Sequence, residues 1–120
     1  MTFTILASDP TRGLLAAATA SRSLAVGAGV PALRVGVGAA ASQAYTNRSL
    51  RGLLLDAVAS GASPATAIAR IPDWDSGAAW RQAAVVTADG AVSAHTGDAC
   101  TAWAVSYTHL RAHETLRYLV

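Results

Sequence analysis

Polar and apolar residues alternate from Thr2 to Ser8 in a stretch rich in β-formers, a pattern that predicts a strand. Asp9-Pro10-Thr11-Arg12-Gly13 follows as a turn, with Pro fixing φ and Gly supplying a left-handed position. Leu14 to Ala20 returns as a second strand, which makes a hairpin. Ser21 to Pro31 is too punctuated by Gly and Pro for regular structure, and Val35 to Gln43 reads as a narrow Gly- and Ala-rich strand. Beyond Asn47, a good helix cap, Leu50, Leu53, Leu54 and Val58 fall on one face of a helix that Gly61 stops. Ser63-Pro64 starts another helix, running to about Ile71, with Pro at its first position. Pro72 to Gly77 reads as a loop. Arg81–Thr87 and Ala91–His95 read as strands joined by Ala88-Asp89-Gly90, and Thr101–Ala104 as the start of one more.

The predicted order is hairpin, strand, two helices, second hairpin. Strands and helices segregate rather than alternate, which favours an α+β fold over a doubly wound sheet. A chain of 120 residues suits one domain. Its apolar residues are mostly small, so sheets and helices can pack closely around few large side chains.

Charge narrows the function classes. The formal net charge is only +2, and the chain has no Lys. Its Arg residues never form a run, so no nucleic-acid partner is expected. No apolar stretch is long and uninterrupted enough for a membrane span, and Asp9 interrupts any signal peptide. Cys100 is the single cysteine, which excludes an internal disulfide and suggests a reducing compartment. The expected location is the cytoplasm.

Composition breaks at about Val105, since two of the three His, two of the three Tyr and the single Glu follow Ala104. Val105 to Thr115 matches one reading frame of a transposase library adapter, so residues 105–120 read as a foreign tail behind a domain of residues 1–104. His109 and His113 stand four apart beside Glu114, but a zinc motif would need a Glu directly after the first His and a third ligand. No metal is expected there. Gly36-Val37-Gly38 lacks the third Gly and the following helix of a dinucleotide loop, so no cofactor is expected either.

Four residues are candidates for chemistry. Removal of Met1, which a small second residue permits, would leave Thr2 with its hydroxyl beside its own α-amine. That amine titrates near roughly pH 8 and can serve as base. Arg22, just after the second strand, could lower the amine's pKa. Asn47 could donate to an oxyanion, although a helix cap already accounts for it. His95 could act as acid–base or as a hydrogen-bonded structural residue. Asp73 and Asp75 flank Trp74 in what reads as a solvated turn, and Cys100 reads as a small buried apolar residue.

The order and spacing of several short segments carry a resemblance. These are Met1 to Asp9, Gly13, Ala20-Ser21-Arg22-Ser23, Ala25-Val26-Gly27, Gly36-Val37-Gly38-Ala39, Ser42-Gln43 and Thr46-Asn47. Arg81-Gln82, Ala94-His95-Thr96-Gly97 and Cys100 to Ala104 continue the series. Together they resemble the bacterial and archaeal family called domain of unknown function 1028, placed in the Ntn-hydrolase superfamily. The resemblance covers residues 1–104. It implies a four-layer αββα sandwich, truncated here, with a nucleophile at the start of the first strand and further strands and helices beyond Trp103. It also implies an amide-type bond in a small-molecule or peptide substrate. The missing Lys removes any counterpart of the proteasome-type lysine. The alternatives are a non-catalytic binding or scaffold module on the same sandwich, or a truncated chain without activity. A chain cut after its early strands would expose sheet faces and aggregate, whereas the intact protein could cover such edges as a symmetric homo-oligomer.

Overall fold

The computed structural model describes residues 1–106. β1 (Thr2–Asp9) and β2 (Leu14–Ser21) form an antiparallel pair in which Thr2 faces Ser21 and Asp9 faces Leu14. Asp9 shapes the turn between them. Its Oδ1 accepts the backbone N–H groups of Thr11 at 3.0 Å and Arg12 at 3.1 Å.

The alternation predicted from the sequence sorts this hairpin into two faces. Thr2, Thr4, Leu6 and Ser8, with Leu15, Ala17, Thr19 and Ser21, are half-buried on the inner face. Phe3, Ile5, Ala7, Leu14, Ala16, Ala18 and Ala20 form the outer face and are exposed. The hydroxyl groups of both strands therefore point inward beside Leu6 and Leu15, while Phe3, Ile5 and Leu14 point outward, with Phe3 67% and Ile5 68% exposed.

The inner face packs on a second sheet of order β3-β4-β5-β6, antiparallel throughout. Its strands are β3 (Pro31–Arg34), β4 (Gly38–Ala44), β5 (Arg81–Thr87) and β6 (Val92–Thr96). The strand expected at Val35–Gln43 is thus shorter at its start. Gly36 takes a positive φ in a turn, and the preceding Pro31–Arg34 pairs back as β3. That extra strand was hidden because four residues opening on Pro carry no periodicity to read. Narrow side chains suit β4 to its place between two layers: Gly38 to Ser42 are all buried.

Helices cover the other face of the four-stranded sheet. α1 (Val26–Gly29) is a single turn before β3, and α2 (Ser49–Ala59) is the main helix. α3 (Pro64–Ala69) and α4 (Ile71–Trp74) follow, and a 3-10 turn (Ala78–Trp80) leads into β5. The predicted apolar stripe is the one used: Leu50 and Leu54 are fully buried, and Leu53 and Val58 pack against the same cluster. Ala40, Ala83 and Val85 meet them from the sheet, and Ala67, Ile68 and Ile71 complete the core. Ser63 caps α3 as expected, its Oγ accepting the N–H of Thr66 at 3.1 Å.

Three further expectations are corrected. Ser21 to Pro31 is not wholly irregular, since Val26–Gly29 closes the helical turn α1. Pro72 to Trp74 is helical rather than looped, because Pro tolerates the first turn of a helix, here α4. Thr101 to Ala104 is not a strand. Its backbone closes a turn, with Ala104 N–H donating to Thr101 O at 2.9 Å. No helix among the described residues is long and apolar enough to cross a membrane. The histidines considered for a metal, His109 and His113, lie outside the described residues.

Candidate functional site

Thr2 stands at the open end of the hairpin, and its neighbours follow from the register. In an antiparallel pair directly opposed side chains share a face. Thr2 Oγ1 lies 3.0 Å from Ser21 Oγ, and two residues along Thr4 Oγ1 lies 3.0 Å from Thr19 Oγ1. From there the bonds cross to the second sheet. Thr4 Oγ1 donates to Gln43 Oε1 at 2.6 Å, and Gln43 Nε2 donates to Gln82 Oε1 at 2.7 Å. Gln82 Nε2 then faces Thr96 Oγ1 at 3.1 Å, Val105 O at 3.2 Å and Ser106 Oγ at 3.4 Å. Gln43 Nε2 also reaches the main-chain carbonyl of Thr2 at 3.4 Å.

The result is a directed ladder of hydroxyl and carboxamide groups between the sheets, with Gln82 only 8% exposed. Buried polar groups must be paired, and here each donor hands on to the next acceptor. None of the ladder's side chains is ionised at neutral pH. The ladder can fix a hydroxyl in place, but it holds no base.

The other candidates are held elsewhere. Arg22 follows Ser21 and is exposed at the same strand end as Thr2. His95 Nε2 lies 2.9 Å from the carbonyl oxygen of Ala78. His95 pairs with Ala83, which belongs to the helix-side core, whereas Gln82 faces the hairpin. Successive strand residues point to opposite faces, so the sheet separates His95 from Thr2. Asn47 caps the start of α2, its Oδ1 accepting Ser49 N–H at 3.0 Å. Its Nδ2 donates to Asp75 Oδ2 at 2.8 Å.

Asp75 is the centre of a separate cluster, and its side chain is 8% exposed rather than solvated as its loop-like sequence suggests. Arg81 Nε donates to Oδ2 at 2.7 Å, Gly77 N–H donates to Oδ1 at 2.8 Å, and Arg81 Nη1 donates to Tyr45 O at 2.6 Å. The cluster ties the loop before β5 to the end of β4. The bonds from Arg81, Asn47 and Gly77 outweigh desolvation and hold the Asp75 pKa at about 2, below its ordinary 3.8. A depressed carboxylate pKa stabilises the fold above the unfolded value, and that contribution is lost as pH falls through the folded one. The expected outcome is a loss of about 1–2 kcal/mol between roughly pH 4 and pH 2, discounted for screening. Comparing melts of the wild type with Asp75→Asn across that range checks it. Parallel curves would show that Asp75 contributes nothing there.

A cleft of about 580 Å³ lies between the β5–β6 turn and the α2–α3 connection, lined in part by Val37, Val58, Ala62, Thr87 and Asp89. Gly90 in that turn is against Pro10 and Ser8, at the turn end of the hairpin. Thr2 is at the other end, roughly 20 Å away along β1 at about 3.3 Å per residue. The cleft is therefore remote from Thr2. The described residues bring no group of three or more His, Cys, Asp or Glu together for a metal.

Ser21, Gln43 and Gln82 had no assigned role in the sequence reading. For Ser21 the signal was present: once the Asp9–Gly13 turn fixes the hairpin, Thr2 must pair with Ser21. The two glutamines were not legible, because they meet across strands far apart in the chain.

The geometry defines an α+β domain of two facing sheets with helices on one side and a polar ladder leading to the N-terminal strand. A family model described as a family of unknown function, DUF1028, matches residues 2–113, and the chain belongs to that family. The match runs past the composition break after Ala104. A crystal structure of a protein from Silicibacter pomeroyi, itself assigned to DUF1028, superposes with a TM-score of 0.85 at 34% identity. The superposition covers 90% of this chain and 50% of that one, so the chain spans about half of that relative's length. No curated protein matches the chain.

Proposed function

We propose that the intact protein is an Ntn-type hydrolase that cleaves an amide-type bond, with Thr2 as nucleophile after loss of Met1. The single observation that carries this reading is the placement of Thr2. It opens β1 with its hydroxyl at 3.0 Å from Ser21 and its carbonyl held by Gln43. Such a hydroxyl is fixed but not activated, because the ladder contains no base. The group that can fill that role is the α-amine of Thr2 itself.

The amine takes the Thr2 hydroxyl proton as Oγ1 bonds to the substrate carbonyl carbon. The C–N bond then breaks, and the leaving amine receives that proton from the ammonium. The α-amine of Thr2, neutral again, takes a proton from a water that adds to the ester carbonyl; the acyl C–Oγ1 bond then breaks, the carboxylic acid leaves, and Oγ1 recovers its proton from the ammonium. Arg22 follows Ser21 and is exposed at the same strand end, which puts a positive charge at the nucleophile's end of the hairpin. Backbone amides supply the oxyanion donors, since the Asn47 amide is committed to Asp75.

The four-layer αββα sandwich belongs to the same reading. The exposed apolar face of Phe3, Ile5 and Leu14 supports it, as does a relative with about twice the chain. In that arrangement a further layer packs on the outer face of the hairpin.

Exposure to a β-lactone tests the nucleophile. Ring opening by Oγ1 leaves the whole lactone attached as an ester, read by mass on the N-terminal peptide. The expected result is one label per chain on Thr2 of the Met1-free protein and none on Thr2→Ala. A label that survives Thr2→Ala removes Thr2 from the mechanism.

A further inference from the structure

We infer that Ser21 is a positioning residue whose bond to Thr2 reverses direction when Met1 is removed, linking processing to activation of the nucleophile. The inference rests on Thr2 being the nucleophile.

A serine hydroxyl has one hydrogen to give and two lone pairs to receive. Ser21 Oγ gives its hydrogen to the carbonyl oxygen of Met1 at 3.2 Å. One lone pair accepts the N–H of Ser23, also at 3.2 Å. What remains for Thr2, at 3.0 Å, is the second lone pair, so Thr2 is the donor in that bond. While Met1 is present, the Thr2 proton is therefore committed to Ser21.

Removal of Met1 takes away the acceptor of the Ser21 hydrogen. Thr2 Oγ1 is the neighbouring oxygen within hydrogen-bond reach, and the Ser21 O–H turns to it. Thr2 then changes from donor to acceptor, and its own proton is released toward the new α-amine. The donated bond also stabilises the negative charge that grows on Oγ1 as the proton leaves. Gln43 keeps its hold on the Thr2 carbonyl throughout, so the strand end stays in register without Met1. The Ser23 N–H fixes the Ser21 rotamer from the other side.

The isosteric pair Ser21→Thr and Ser21→Val tests the hydroxyl apart from its volume, and both side chains suit a strand. The readout is the β-lactone labelling rate of the Met1-free full chain, saturated in lactone. Ser21→Thr is expected to keep the maximal rate within about threefold of wild type, and Ser21→Val to lose about tenfold or more. The lactone concentration at half-maximal rate should stay unchanged, because the hydroxyl acts on the nucleophile and not on binding. A purely structural role would slow both variants alike or shift the half-maximal concentration. Equal rates for Thr and Val at position 21 overturn the inference and leave Thr2 in place. If the wild type itself takes no label at Thr2, the nucleophile reading falls and this inference falls with it.

Discussion

Gly97→Ala is expected to lower stability by about 3 kcal/mol or more, a drop in melting temperature of roughly 15 °C for a domain of this size. Gly97 follows β6 at the point where the chain passes over the 3-10 turn. A Cβ there would overlap the carbonyl carbon and oxygen of Ala79 and come within 2.6 Å of Ala78 O. Neither obstacle is a flexible side chain. Those carbonyls are themselves pinned, Ala78 O by His95 Nε2 and Ala79 O by the N–H of Ala99, each at 2.9 Å. Gly97 N–H also donates to Arg81 O at 2.9 Å, so the segment cannot retreat without losing that bond. Gly52→Ala is the matched control. It lies within α2 with open space where a Cβ would go, and should gain about 0.5–1 kcal/mol from helix propensity. Thermal melts of the two variants check the pair. A Gly97→Ala melt within a few degrees of wild type would mean that the 3-10 turn yields more easily than its bonds imply.

Leu54→Ala is expected to cost about 2–5 kcal/mol, the range for emptying a fully enclosed leucine site. Leu54 is 0% exposed and sits where α2 crosses the sheet, in one cluster with Leu50, Ala40, Ala83 and Val85. Most of its neighbours are alanines and β-branched residues, which have little freedom to move into the space. The cavity would therefore persist and its cost would lie in the upper part of the range. Chemical denaturation measures this directly. A loss below about 1 kcal/mol would show that the helix can settle onto the sheet. Leu14→Ala on the exposed face of the hairpin should cost far less in this chain. A comparable loss there would indicate that something covers that face.

The sequence by itself determined what short-range chemistry controls. Asp9 and Gly13 close a turn, and that turn fixes the register of eight pairs and sets Thr2 against Ser21. Asn47 and Ser63 cap helices through their side-chain oxygens, and the leucine spacing picks the face of α2 that is buried. The α+β class followed from the order of such elements.

The tertiary structure decided which face of each strand meets which layer. Alternation in β1 and β2 is the same whichever side is covered, so the inward placement of Thr2, Thr4, Thr19 and Ser21 was not readable. Asp75 looked like a turn residue until Arg81 and Asn47 closed on it. Gln43 and Gln82 join because β4 and β5 are neighbours, a pairing across nearly forty residues that local pattern does not encode. His95 is parted from Thr2 for the same reason. A strand's register settles which sheet face a residue occupies, and only the packing of whole sheets settles what that face touches.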